Sequence, residues 1–223
     1  MTESLIAPSG LVRDSVYGRI RADVLTCVLR PGTQIQEREL ADQYGVSKSP
    51  VRDALLRLQE QNLIEVLPRK GYRVKPISIT EVSEMYEMRL ILERACVLRL
   101  VEQGSADTLE RLDEYRRLSG DTTLEMWIAY NRNFHLALAD SGNRRLTQAA
   151  RDIIEQFDRL TFMNMSNVQR ELGNLQHFVD EHAQIVDAIQ RRDKRGAAAL
   201  IKEHVEHSRA MFFDQIGSLS VVP

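Results

Sequence analysis

The sequence predicts a mainly α-helical protein in two parts: three helices and a hairpin, then an all-α antiparallel helical bundle. Three observations carry this. Apolar residues recur at helical spacing through most of the chain. The two strand-like runs both lie before Lys75-Pro76, and no strand-like alternation follows Pro76. Sharp turn signals divide the first part into short elements, whereas the second part has long helical stretches.

The first helix is expected over Leu11–Leu29, with Val12, Val16, Ile20, Val24, Leu25 and Val28 on its inner face. Arg30-Pro31-Gly32 ends it. A second short helix runs from Gln36 to Tyr44 and stops at Gly45, because glycine tolerates the left-handed backbone of a sharp turn. Ser47 suits the N-cap of a third helix and Pro50 suits its first turn, where backbone N–H groups have no helical partner. Val51, Ala54, Leu55 and Leu58 share one face, and Asn62 serves as the left-handed stop. Leu63–Leu67 and Tyr72–Lys75 read as two strands around the basic turn Pro68-Arg69-Lys70-Gly71.

After Pro76, helices are expected near 80–103, 106–118, 123–140, 144–170, 173–191 and 194–215. Ser78 to Glu81 and Thr122 to Glu125 have capping-box spacing. Gly104, Ser141-Gly142-Asn143 and Arg192-Asp193 mark breaks. There is no fixed-period repeat and no low-complexity tract. The expected domains are therefore residues 1–76 and 77–223.

Hydrophobic residues make up 43% and charged residues 28% of the 223, enough to bury a sizeable core. No apolar run spans a bilayer and the N-terminus lacks a signal pattern, so no membrane partner is expected and the location is cytoplasmic. Cys27 and Cys96 each sit in an apolar, helix-like stretch and are read as small core hydrophobes rather than a disulfide.

Charge is uneven. Residues 1–76 hold 12 Lys+Arg against 9 Asp+Glu, and residues 77–223 hold 18 against 23. A basic first part hints at a polyanion there. Helix, helix, turn, helix and hairpin is the order of a winged helix-turn-helix, in which the helix after the turn enters the major groove of DNA. Lys48, Ser49 and Arg52 lie at the start of that helix. Arg52 can reach a guanine edge or a phosphate, while Lys48 and Ser49 suit phosphate contact. Arg38 opens the supporting helix, where its charge and free N–H groups can face phosphate. Arg69 and Lys70 belong to the wing tip, and Gly71 allows close backbone approach. Singly, any of these is an ordinary surface charge; their convergence on one motif makes the reading.

The run Glu37-Arg38-Glu39-Leu40-Ala41, then Gly45-Val46-Ser47-Lys48-Ser49-Pro50-Val51-Arg52-Asp53-Ala54-Leu55, resembles the GntR superfamily of transcription factors. The resemblance implies an operator-binding winged helix, with Arg38, Lys48, Arg52 and Gly71 aligned on DNA-contacting positions. Lys48 stands where arginine is usual, which keeps the charge and loses the planar fork. Asn62 stands where glycine is usual, and asparagine is the next-best left-handed residue.

All five histidines follow residue 130. Asn131 and His135, four apart, share a helix face, and His182 and His204 sit within two further helices, so three helices can aim side chains at one point. Scattered helical histidines are usually surface or singly hydrogen-bonded core residues, and spacing alone does not select the shared site. Residues 78–215 also resemble the FCD ligand-binding domain of the FadR-type branch. The marks are Met85-Tyr86-Glu87-Met88-Arg89 with Glu93, Asn133-Phe134-His135, Glu181-His182-x-x-Ile185-x-x-Ala188-Ile189 and Glu203-His204. That resemblance implies a divalent metal on an aspartate and three histidines, here Asn131, His135, His182 and His204. An asparagine oxygen can ligate but brings no negative charge. Three imidazoles favour zinc or nickel over magnesium. His177 and His207 match no ligand position. The resemblance also places Arg89, with Tyr86 nearby, at an effector cavity, where a guanidinium suits a carboxylate. The alternative for Arg89 is an i,i+4 pair with Glu93.

The reading is a homodimeric repressor released from a two-fold-symmetric operator by a small organic acid bound beside a metal. One alternative is a metal-responsive regulator without an organic effector. A zinc hydrolase is the other, and no Gly-x-Ser-x-Gly, His-Glu-x-x-His or phosphate-binding glycine loop supports an enzyme.

Overall fold

The computed structural model describes residues 9–118, 123–163 and 175–215. They fall into two compact units, one up to Ile77 and the other from Ser78. Among the described residues no helix is long and apolar enough to cross a membrane.

The first unit comprises α1 (Ser9–Leu25), β1 (Gln34–Ile35), α2 (Glu37–Tyr44), α3 (Lys48–Glu60), β2 (Ile64–Leu67) and β3 (Gly71–Val74). Val16, Ile20 and Val24 of α1 share a buried core with Val51, Leu55 and Leu58 of α3. Removing one such leucine side chain costs about 2–5 kcal/mol. Gly45 is left-handed at φ 67°, and the Val46 N–H reaches the Ala41 carbonyl at 3.0 Å. Asn62 is left-handed at φ 57°, and the N–H groups of Asn62 and Leu63 bond to Gln59 and Leu58. Both are Schellman-type stops. Ser47 holds the extended N-cap conformation of α3, although its side chain makes no cap bond.

One expectation fails here and another is incomplete. The first helix ends at Leu25 rather than Leu29, because Cys27 turns left-handed at φ 56°. Val28 is consequently exposed and Cys27 only half-buried in a turn, not a core helical residue. The expected hairpin forms, β2 pairing antiparallel with β3 from Ile64 opposite Val74 to Leu67 opposite Gly71, but it is part of a larger sheet. β1 adds a third antiparallel strand in the order β1-β3-β2, pairing Gln34 with Arg73 and Ile35 with Tyr72. Two residues are too few to display an alternating pattern.

The second unit comprises α4 (Ile79–Gln103), α5 (Ala106–Glu110), a 3₁₀ segment (Arg111–Tyr115), α6 (Leu124–Ala139), α7 (Arg144–Met163), α8 (Gln176–Gln190) and α9 (Lys194–Gln215). α4 packs against α6, α7 and α9. Ser78 Oγ accepts the Glu81 N–H at 3.0 Å, as capping-box spacing requires. At α6 the cap is Thr123, whose Oγ1 accepts the Met126 N–H at 3.3 Å, one residue later than expected; Thr122 lies outside the described residues. The helix expected over 106–118 is shorter and tightens into the 3₁₀ segment, where Gln190 of α8 holds the Leu109 carbonyl and the Asp113 carboxylate. α7 is described to Met163, so the rest of its expected span to residue 170 lies outside the described residues. Arg192, left-handed at φ 58°, closes α8.

Candidate metal centre and nucleic-acid interface

In the second unit, three helices bring His135 (α6), His182 (α8) and His204 (α9) together, all buried, with one nitrogen from each lying within 4.8 Å of the others. Phe134 stacks on His182 at 3.7 Å between centroids and fixes that ring.

The hydrogen bonds settle the tautomers. An arginine has only donors, so Arg89 Nη2, 2.5 Å from His135 Nε2, makes that nitrogen an acceptor. His135 Nδ1 therefore carries the proton and donates to Glu93 Oε2 at 2.7 Å. His204 Nδ1 donates to Glu181 Oε2 at 2.7 Å. Tyr130 Oη donates to the Tyr115 carbonyl at 2.7 Å, so at 3.2 Å it accepts from His182 Nδ1. Burial lowers the pKa of all three imidazoles, His135 to about 3, so they are neutral at neutral pH. In each ring, then, the proton sits on Nδ1 and Nε2 is unprotonated, that of His135 accepting from Arg89. His135 and His204 Nε2 stand 3.3 Å apart with no proton between them. His182 Nε2 is buried with no partner. Converging lone pairs on neutral imidazoles, each fixed from behind by an oxygen acceptor, form a donor set suited to a borderline divalent cation. Zinc or nickel fits these residues.

Arg89 and Glu93 are buried and paired at 2.6 Å. Burial pushes the Glu93 carboxyl up, but Arg89 and His135 outweigh it and hold it at about 2. The i,i+4 pair left open for Arg89 is thus formed, together with a bond to His135. Tyr86 donates its hydroxyl to the Ser208 carbonyl at 3.1 Å, and its ring packs edge-on against Phe157. A cavity of about 60 Å³ opens beside the cluster, lined by Tyr86, Arg89, Trp127, Asn131, His204 and Ser208 among others. That is room for a few heavy atoms. Asn131 is half-buried on this lining, one turn before His135. Trp127, the sole tryptophan, is buried with its indole N–H unpartnered.

Sequence reasoning missed Trp127, Tyr130 and the second role of Glu93. It noted Glu181 only as a neighbour of His182, whereas its carboxylate bridges His204 and the exposed His207. None of these cross-helix contacts has a signature in linear spacing.

In the first unit, Arg38, Lys48, Ser49, Arg52, Arg69 and Lys70 are exposed. Contacts tie several of them into one surface. Arg52 on α3 forms a two-toothed pair with Glu37 at the start of α2, both bonds 2.8 Å. Tyr72 of β3 donates to the same carboxylate at 3.3 Å. Gln36 holds the Lys70 carbonyl at 2.8 Å. Arg38 lies 3.9 Å from Asp42, one turn on. The wing turn is closed by the Lys70 N–H on the Leu67 carbonyl, with Pro68 second and Arg69 third at φ 65°. Gly71 has φ 88°, and a Cβ there would lie 2.6 Å from the Ile35 carbonyl oxygen. The close approach that Gly71 permits is to the chain's own β1.

Residues 12–74 match the family of bacterial regulatory proteins described as the gntR family, and residues 84–207 match the FCD domain. The HTH-type transcriptional repressor RspR of Escherichia coli (strain K12) is 26% identical over 212 residues, covering 92% of this chain and 90% of RspR. The HTH-type transcriptional repressor GlaR of the same strain is 24% identical over 198 residues, covering 85% and 90%. Among solved structures, E. coli McbR/YncC superposes with a TM-score of 0.77 at 24% identity, covering 91% of this chain and 97% of that one. A GntR family member from Pseudomonas syringae pv. tomato str. DC3000 superposes with a TM-score of 0.54 at 28% identity, covering 95% and 89%. Matched in both units, with relatives that are transcriptional regulators and not enzymes, the chain belongs to the gntR family of DNA-binding transcriptional regulators and carries an FCD domain.

Proposed function

We propose that the protein is a homodimeric repressor acting in the cytoplasm, released from a two-fold-symmetric operator by a small carboxylate that binds beside a divalent metal. The observation that carries this reading is the convergence of three buried histidines, His135, His182 and His204, with one nitrogen of each within 4.8 Å of the others and His182 Nε2 unpartnered. Zinc or nickel would be held there, with Asn131 as a neutral fourth ligand, and would supply a positive charge beside the cavity that Arg89 and Tyr86 line. The repressor assignment draws on the names of RspR and GlaR. Exposed Met88 and Ile91, three apart on α4, offer an apolar strip for a second copy.

On DNA, Arg52 reads base edges, and Arg38, Lys48, Ser49, Arg69 and Lys70 engage phosphate, with Gly71 shaping the wing. The test is operator binding measured with and without zinc and a panel of two- to four-carbon carboxylates, with Trp127 fluorescence recorded in parallel. Release that needs both supports the reading; release by no carboxylate contradicts it. A second reading, a regulator responding to the metal alone, is favoured by one observation: Arg89 already engages Glu93 and His135. Chelation that abolishes operator binding, with every carboxylate inert, would select it.

A further inference from the structure

The Glu37 carboxylate faces the exposed side of α3 instead of solvent, and it meets three elements at once. It opens α2, where a negative charge suits the helix N-terminus. It takes Arg52 Nε on one oxygen and Nη2 on the other. It also accepts the Tyr72 hydroxyl from β3, the strand that follows the wing turn. Glu37 is mostly covered, its side chain 19% exposed, whereas that of Arg52 is 61% exposed.

We infer that Glu37 is a positioning residue for base reading: it holds the Arg52 guanidinium by its Nε–Nη2 edge and leaves the Nη1–Nη2 end to address a guanine. This rests on the reading of Arg52 as the base-reading residue. Two physical consequences follow. An arginine fixed before binding loses less rotamer freedom when it docks, which favours the cognate base over others. The pair is also net neutral, so Arg52 adds selectivity without adding to the charge that displaces counterions from DNA. Glu37 thereby separates specificity from general affinity for polyanions.

The experiment compares wild type, Glu37→Gln, Arg52→Ala, the double variant and Tyr72→Phe. The probes are the site that the wild type enriches from a random duplex library and a poly(dI-dC) duplex of equal length, each across a salt series. Glu37→Gln keeps the shape and a hydrogen-bond acceptor. It is expected to lower the ratio of specific to non-specific affinity about five- to tenfold. It should also steepen the salt slope on poly(dI-dC) by about one unit per bound chain, because Arg52 becomes an unpaired cation. Arg52→Ala should lose specificity and flatten the slope, because Glu37 is left as an unpaired anion, and Glu37→Gln should cost no further specificity in that background. Tyr72→Phe, which leaves the ion pair intact, should show a smaller loss of specificity with no change of slope. Specificity lost in Arg52→Ala but kept in Glu37→Gln would overturn the positioning role alone. A Glu37→Gln loss that persists in the Arg52→Ala background would mean that Glu37 reads a base itself, which also overturns it. No enriched site, or an Arg52→Ala variant as specific as wild type, would overturn the underlying assignment of Arg52.

Discussion

Arg89 and His135 meet at 2.5 Å, Nη2 against Nε2, on the nitrogen that faces the other two imidazoles. A guanidinium and a metal ion cannot share that lone pair. A metal ion at the proposed site would have to displace Nη2, and the freed Nη2 would then have donors for a carboxylate. Arg89→Met is therefore expected to raise zinc affinity about tenfold, one charge-assisted hydrogen bond's worth, and to weaken carboxylate binding. Competition with a chromophoric chelator measures the first and calorimetry the second. Unchanged zinc affinity would show that Arg89 does not compete; unchanged carboxylate affinity would remove it from the effector site.

The metal-free protein should lose stability as pH falls below neutrality. His135, His182 and His204 have folded pKa values depressed below the ordinary 6.5 by burial, so the unfolded chain takes up their protons first. Stability is full above 6.5 and falls below it, continuing down to about 3 for His135. Each histidine adds a slope of about 1.4 kcal/mol per pH unit. Urea unfolding of chelator-treated protein at pH 7.5, 6.0 and 5.0 measures this, and a flat profile would contradict the buried neutral state.

Much of the DNA-binding unit is legible because its turns depend on single residues. Gly45 and Asn62 occupy left-handed positions that few other residues accept, and both can be placed from the sequence. Cys27 is left-handed too, but cysteine carries no such signal, so the end of α1 is misplaced. β1 is invisible because it exists only by pairing with β3. In the bundle, His135, His182 and His204 are identified through family resemblance, and spacing alone leaves them open. The bonds that set their tautomers, from Glu93, Glu181 and Tyr130, cross between helices and follow from packing.

Arg69 occupies the third position of the wing turn with φ 65°, a conformation that glycine or asparagine adopts at lower cost. An arginine kept there carries strain at the tip proposed to meet DNA. Arg69→Gly should raise stability by about 0.5–1 kcal/mol while weakening binding to all duplexes and flattening the salt slope by about one unit per chain. Thermal unfolding and a salt series check the two halves. A variant less stable than wild type would rule out the strain.

The exposed strip of Met88 and Ile91 on α4 gives a test of the proposed homodimer. Ile91→Glu places a charge on the strip and should shift the protein toward monomer by at least about tenfold in dissociation constant. Sedimentation at several concentrations reads this directly. A dimer of wild-type strength would place the interface elsewhere.

The proposed metal centre requires that the Nε2 atoms of His135, His182 and His204 bind one divalent cation, with Arg89 Nη2 leaving His135 as it enters. Native mass spectrometry of the chelator-stripped protein, titrated with zinc and separately with nickel, tests it most directly. One ion retained per chain, lost in His182→Ala while the protein stays folded by circular dichroism, is the predicted result. No retained ion, or equal retention in His182→Ala, would contradict it.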